Sequence, residues 1–212
     1  MEIISHRGYW KDGFEKNKQI AFERSFSLGL GTETDLRDSN GHIVISHDMP
    51  TGNEITLSEL FIMYKDNGCE GTLALNIKAD GLQKQVAAEL ETFGIKNYFL
   101  FDMSVPDCLV SLKDDLVCFA RYSEYEPYSL LWERCQGIWY DSFHSSDIKP
   151  ELIEKVISKG KRVCIVSPEL HNRGHLPLWE VINKLDKKTI NSNKIILCTD
   201  IPEAARDYFH GK

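Results

Sequence analysis

Two imidazoles, two carboxylates and a guanidinium fall within the first fifty residues, in four short marks: Ile4-Ser5-His6-Arg7-Gly8, Asn17, Glu33-Thr34-Asp35 and Ser46-His47-Asp48. On a strand, residues two apart share a face, so Glu33 and Asp35 point together while Thr34 points away. Two carboxylates converging from one strand make a hard-oxygen site, suited to magnesium or calcium rather than zinc. A guanidinium such as Arg7 offsets charge on phosphoryl oxygens. An imidazole, ordinarily titrating near pH ~6.5, takes and gives protons close to neutrality. Together these groups are the equipment of metal-assisted phosphoryl chemistry. An isolated E-x-D or a single histidine is more often a solvated or structural feature; the combination carries the reading.

Groups so far apart in sequence need neighbouring strand ends to bring them together. The chain supplies the rhythm for that, with short β-rich runs alternating with helical stretches. Strands are predicted at Glu2 to Ser5, Thr32 to Leu36, Thr72 to Lys78, Tyr98 to Phe101, Leu116 to Arg121, Gly137 to Tyr140, Arg162 to Val166 and Lys194 to Cys198. An extra run, His42 to Ser46, follows the tight-turn signal Ser39-Asn40-Gly41 and is expected to pair back. Helices are predicted at Gln19 to Leu28, Leu57 to Lys65 behind a Thr56/Glu59 capping box, Leu82 to Phe93, Val105 to Leu112, Pro127 to Arg134, Pro150 to Ser158, Pro177 to Leu185 and Pro202 to Phe209. Eight principal strands, each followed by a helix and with no linker between them, predict a (β/α)8 TIM barrel in one compact domain over residues 1–212. An open doubly wound sheet would carry a glycine-rich phosphate turn after its first strand, and Gly8-Tyr9-Trp10 is not one.

On a barrel the chemistry sits where strands end, which is where His6, Arg7, Glu33, Asp35 and His47 fall. Later strand ends offer Asp102, Arg121, Trp139 with Asp141, and Asp200. The densest stretch, Glu169 with His171, Arg173 and His175, is read as substrate-binding, with Glu169 its leading candidate. Trp139 is the one tryptophan kept as a platform for a sugar or base.

Composition narrows the classes. Thirty-two acidic against twenty-five basic residues give a formal charge of -7, which argues against a nucleic-acid surface and leaves an anionic substrate to local cations or a metal. No run approaches the ~18 apolar residues of a membrane span. The six cysteines are scattered without a C-x-x-C pair, and most lie in apolar runs. Met1-Glu2-Ile3-Ile4 runs straight into the first strand without a signal-type stretch, so the expectation is a cytoplasmic protein with reduced, buried thiols.

The first fifty residues resemble the glycerophosphodiester phosphodiesterase family, whose N-terminal signature is similar to His6-Arg7-Gly8, Asn17 with Ala21-Phe22, Glu33-x-Asp35, Asp38-x-x-Gly41 and His47-Asp48. Weaker echoes are Leu75-Asn76-Ile77-Lys78 and Thr199-Asp200-Ile201-Pro202. The resemblance implies an eight-stranded barrel that cleaves phosphodiesters with a divalent cation, Mg2+ or Ca2+. It gives His6 and His47 the acid/base roles, Arg7 and Lys78 the phosphate contacts, and Glu33 and Asp35 metal ligation, with Asn76 where the family has a third carboxylate. Glu15 and Lys16 stand where the family tends to have Pro-Glu. The connection Met49-Pro50-Thr51-Gly52-Asn53-Glu54 is short where many relatives insert a segment. The expected partner is therefore a small-molecule or saccharide phosphodiester bulkier than a glycerol headgroup. Two alternatives stand beside hydrolysis: a cyclising phosphodiesterase of the phospholipase type, and a barrel that binds a phosphorylated ligand without turnover.

Overall fold

A computed structural model describes residues 1–146 and 148–211. The chain clusters into two compact units, one of Ser5–Cys118 and one of Met1–Ile4 with residues 119–212. Its regular elements alternate as β1 Glu2–His6, α1 Gln19–Ser27, β2 Gly31–Ser39, β3 His42–Ile45, α2 Leu57–Asp66, β4 Leu73–Ile77, α3 Gln83–Phe93, β5 Tyr98–Phe101 and α4 Val105–Lys113. They continue as β6 Phe119–Tyr122, α5 Leu131–Arg134, β7 Gly137–Tyr140, α6 Pro150–Ser158, β8 Arg162–Val166, α7 Leu176–Asn183, α8 Lys187–Ile190, β9 Ile195–Thr199 and α9 Pro202–His210. With β3 set aside, the described residues make eight strand–helix repeats, a TIM-barrel-like (β/α)8 fold.

In the Ser5–Cys118 unit the strand order is β5-β4-β2-β1, with β3 added on β2. The β2–β3 ladder is antiparallel and pairs Ser39 with His42, so Asn40 and Gly41 form a two-residue turn. Both have positive φ, 50° and 82°, the backbone that matches strand twist and that asparagine and glycine adopt most readily. This hairpin carries β2 to Ser39, three residues beyond its predicted end at Leu36. Thr56 and Glu59 cap α2 reciprocally, as the capping box predicts. Phe22, Phe26 and Phe61 are buried under these helices, with Tyr64 edge-on to Phe26 at 5.3 Å. Each such ring contributes about 1.5–3 kcal/mol.

Gly8 holds α1 against the end of β1. Its φ is +79°, and a Cβ there would lie 2.7 Å from Ala21 Cβ and 2.8 Å from the Ala21 carbonyl carbon. Strain and overlap add, so Gly8→Ala is expected to cost about 3 kcal/mol, read as a lowered urea midpoint with unchanged slope.

The other unit orders its strands β1-β9-β8-β7-β6 around a core of Ile138, Ile153, Val163, Ile165, Trp179 and Leu197. Two expectations shift here. The helix predicted over Pro127 to Arg134 shrinks to Leu131–Arg134. Ser123 Oγ takes the amides of Tyr125 and Glu126, and Ser129 Oγ takes that of Leu131, so side-chain oxygens hold a turn where helix would begin. Trp139 is only 6% exposed, which removes it as a platform for a ligand ring. The six cysteines are buried. Among the described residues, no helix is long and apolar enough to cross a membrane.

Candidate active site

The site is built from the Ser5–Cys118 unit. At the end of β1, Arg7 and Gly8 are consecutive positive-φ residues, at 57° and 79°. Three hydrogen bonds lock this reversal: Arg7 N donates to Glu33 O at 2.9 Å, Gly8 N to Thr32 Oγ1 at 2.9 Å, and Asn17 N to Arg7 O at 3.0 Å. A left-handed arginine costs about 1–2 kcal/mol. Strain of this kind persists where the surroundings over-determine it, as these bonds do.

Across the parallel β2–β4 ladder, Asp35 is in register with Asn76. Register and alternation together therefore gather Glu33, Asp35 and Asn76, which are 2%, 0% and 6% exposed. One oxygen of Asp35 is fixed by Asn17, whose Nδ2 donates to Asp35 Oδ2 at 2.8 Å while its Oδ1 accepts from Thr34 Oγ1 at 2.9 Å. Arg7 Nε lies 3.1 Å from Asp35 Oδ2, and Lys78 Nζ 3.5 Å from Asp35 Oδ1, as ion pairs without aligned hydrogen bonds. The His6 imidazole faces Glu33, its Nε2 3.8 Å from Glu33 Oε2. Burial, and then the neighbouring Asp35 charge, hold the Glu33 carboxyl well above the usual range, while Arg7 and Lys78 pull the other way.

Among the described residues, six buried side-chain polar atoms lack a hydrogen-bond partner, and four of them are here: Arg7 Nε, Glu33 Oε2, Asp35 Oδ1 and Asn76 Oδ1. Each such atom costs roughly 1–3 kcal/mol, so their concentration in one place asks for a ligand. Three of the four are oxygens, the donor set a hard divalent cation takes. No group of three or more His, Cys, Asp or Glu side chains in the described residues could hold a metal, so an ion here would rest on two carboxylates and an amide.

His47 follows β3 with its side chain 45% exposed, and its Nδ1 lies 2.9 Å from Asp48 Oδ1. Its position is set by Arg37, a residue absent from the sequence-based candidates. Arg37 Nε and Nη2 each donate to His47 O at 3.1 Å, and Nη1 donates to Lys78 O at 3.2 Å. One guanidinium thus ties together the backbones of two expected functional residues. Alternation could have found it, because Arg37 is two residues beyond Asp35 on the same strand face. Asp102, considered only for recognition, meets Asn76: Nδ2 of the amide donates to Asp102 Oδ2 at 3.1 Å.

Glu169 lies in the other unit, in a 3-10 turn, Pro168–His171. It accepts from Ser167 Oγ at 2.5 Å, from Thr199 Oγ1 and from Asp200 N at 3.2 Å, tying this turn to the end of β9. His171 Nε2 pairs with Asp141 Oδ1 at 2.6 Å, and His175 packs on Trp179.

No protein-family model and no curated protein sequence matches the chain. Solved structures do match in fold. A glycerophosphodiester phosphodiesterase from Parabacteroides distasonis aligns with a TM-score of 0.77 at 16% identity, over 99% of this chain and 97% of its own. One from Agrobacterium tumefaciens aligns with a TM-score of 0.71 at 16% identity, over 100% of both chains. A phosphodiesterase from Oleispira antarctica, solved with the product sn-glycerol-3-phosphate, aligns with a TM-score of 0.69 at 15% identity, over 98% of this chain and 96% of its own. The chain therefore shares, end to end, the barrel fold on which these phosphodiesterases are built.

Proposed function

We propose that this chain is a phosphodiester hydrolase of the glycerophosphodiester phosphodiesterase type, working with a divalent cation, magnesium or calcium. The observation that carries the reading is the set of three buried acceptors without donors, Glu33 Oε2, Asp35 Oδ1 and Asn76 Oδ1, beside the cations of Arg7 and Lys78. Glu33, Asp35 and Asn76 would hold the ion, which when bound supplies Lewis-acid polarisation of a phosphoryl oxygen. Arg7 and Lys78 offset charge on the other phosphoryl oxygens. His6 and His47 divide the proton transfers, one taking a proton from the attacking water and the other giving one to the leaving alkoxide. Asn17 keeps Asp35 in orientation through its second oxygen.

Fold likeness over nearly the whole length of three phosphodiesterases supports this reading and supports treating residues 1–212 as one catalytic domain. Six cysteines buried inside the fold support a cytoplasmic setting. The substrate is a small-molecule phosphodiester. A saccharide-containing one, larger than a glycerol headgroup, is favoured by the short connection of residues 49–54, where Met49 is 77% exposed.

The test is release of nitrophenol from bis(4-nitrophenyl) phosphate, expected to require added Mg2+ or Ca2+ and to stop with chelator. A chain that binds the cation yet releases nothing would be a binding protein, and hydrolysis would be the wrong reading. Turnover of a natural-type diester in oxygen-18 water adds the route. Label in the first phosphorus product is expected for attack by water, and its absence would mark a cyclising reaction.

A further inference from the structure

Asn76 is neutral, yet its oxygen sits among the proposed cation ligands; what makes it face that way lies on the next strand. The β4–β5 ladder pairs Asn76 with Phe101, and the following residue, Asp102, turns at φ 70°. For an aspartate that conformation is uncommon and has to be held by contacts. Asp102 Oδ2 accepts from Asn76 Nδ2 at 3.1 Å and lies 3.9 Å from Lys78 Nζ. An asparagine amide has one donating and one accepting end, whereas an ionised carboxylate only accepts. Asp102 therefore fixes the amide with Nδ2 toward itself and Oδ1 on the other side, where Oδ1 is buried and without a donor.

We infer that Asp102 is the positioning residue that presents Asn76 Oδ1 as a cation ligand and supplies, one hydrogen bond behind it, the negative charge the amide lacks. This rests on the cation reading given above. The Asp102 carboxylate reaches the pocket through its contacts with Asn76 Nδ2 and Lys78 Nζ. Carboxylates that orient a ligand from behind commonly change metal affinity by about 10- to 100-fold.

Calorimetric titration of Mg2+ and Ca2+ into the full chain, stripped with chelator beforehand, reads this directly. Asp102→Asn is expected to weaken binding by about 10- to 100-fold, because an amide at that position no longer dictates which end of Asn76 faces the pocket. The Asn76→Asp/Asp102→Asn double variant keeps the total charge and the donor–acceptor pair, with the charge moved to the ligand. It is expected to recover the affinity of the unsubstituted chain to within about threefold. An Asp102→Asn affinity within about twofold of the original overturns the inference. So does a double variant that melts normally and binds no better than Asp102→Asn. If the unsubstituted chain takes up neither cation, the cation reading itself fails, a result separable from a failure of Asp102 alone.

Discussion

Replacing His47 with alanine is expected to lower kcat for phosphodiester cleavage by about 10²- to 10⁴-fold while leaving the fold intact. His47 is 45% exposed in its side chain, and Arg37 grips its backbone oxygen, which the substitution does not touch. The melting temperature should stay within about 0.5 kcal/mol of equivalent stability, as for most exposed positions. His6→Ala is expected to produce a loss of similar size, although its imidazole is 13% exposed and faces Glu33 at 3.8 Å, so removing it also changes the surroundings of a buried carboxylate. Because both imidazoles serve one transition state, the double variant should be little slower than the worse single variant. The signature is a fall in kcat with little change in KM, since proton transfer acts on the transition state and not on binding. Initial rates on a dialkyl phosphodiester at saturating cation check this, because an alkoxide, unlike nitrophenolate, needs the proton to leave. Turnover within about threefold of the original in either single variant would remove that histidine from the chemistry.

Much of the candidate site could be read from the sequence because strand geometry is periodic. Glu33 and Asp35 share a face by a two-residue rule that needs no knowledge of neighbours. Gly8 was visible as part of His6-Arg7-Gly8, and its reason for being glycine is the close approach of Ala21. What alternation could not supply was register. That Asp35 stands beside Asn76, and that Asp102 comes next to that amide, depends on how β2, β4 and β5 slide along one another. A slip of one residue would have turned these side chains to the other face.

The misread elements have local causes. Pro127 to Arg134 has a helical pattern, yet Ser123 and Ser129 bond to nearby amides and hold a turn instead. Strand β2 outran its prediction because the hairpin to β3 supplies partners as far as Ser39. Arg37 was missed for the same reason: a strand ended at Leu36 leaves it in a loop, whereas the longer strand turns it into a clamp on His47 and Lys78. Glu169 was singled out by the density of polar groups around it. Density could not show its partners, which are Ser167, Thr199 and the Asp200 amide.

Glu33→Gln is expected to make the cation-free protein more stable near pH 8 while abolishing its response to divalent cations. The Glu33 carboxyl is held well above its ordinary value of 4.5, first by burial and then by Asp35. Below about pH 4 the folded and unfolded chains both carry the proton, and the site costs nothing. As pH rises through the raised folded value, the unfolded chain has released its proton while the folded chain either keeps it or bears a buried charge, so stability is lost. Removing the titrating group removes that loss. It leaves no stranded cation either, because Arg7 and Lys78 are paired with Asp35, and Lys78 also approaches Asp102. Relief of a buried charge of this kind amounts to about 2 kcal/mol, or roughly 4–8 °C in Tm for a chain of this size. The gain should shrink toward zero near pH 4, which separates it from a general packing effect. With Mg2+ at about a hundred times Kd, the unsubstituted chain should gain about 2.7 kcal/mol, and the variant should gain nothing. Thermal melts at both pH values, with chelator and with Mg2+, give all four numbers. A variant that is less stable than the original near pH 8, or one that still responds to Mg2+, would show that Glu33 is held there for the fold and not for the ion.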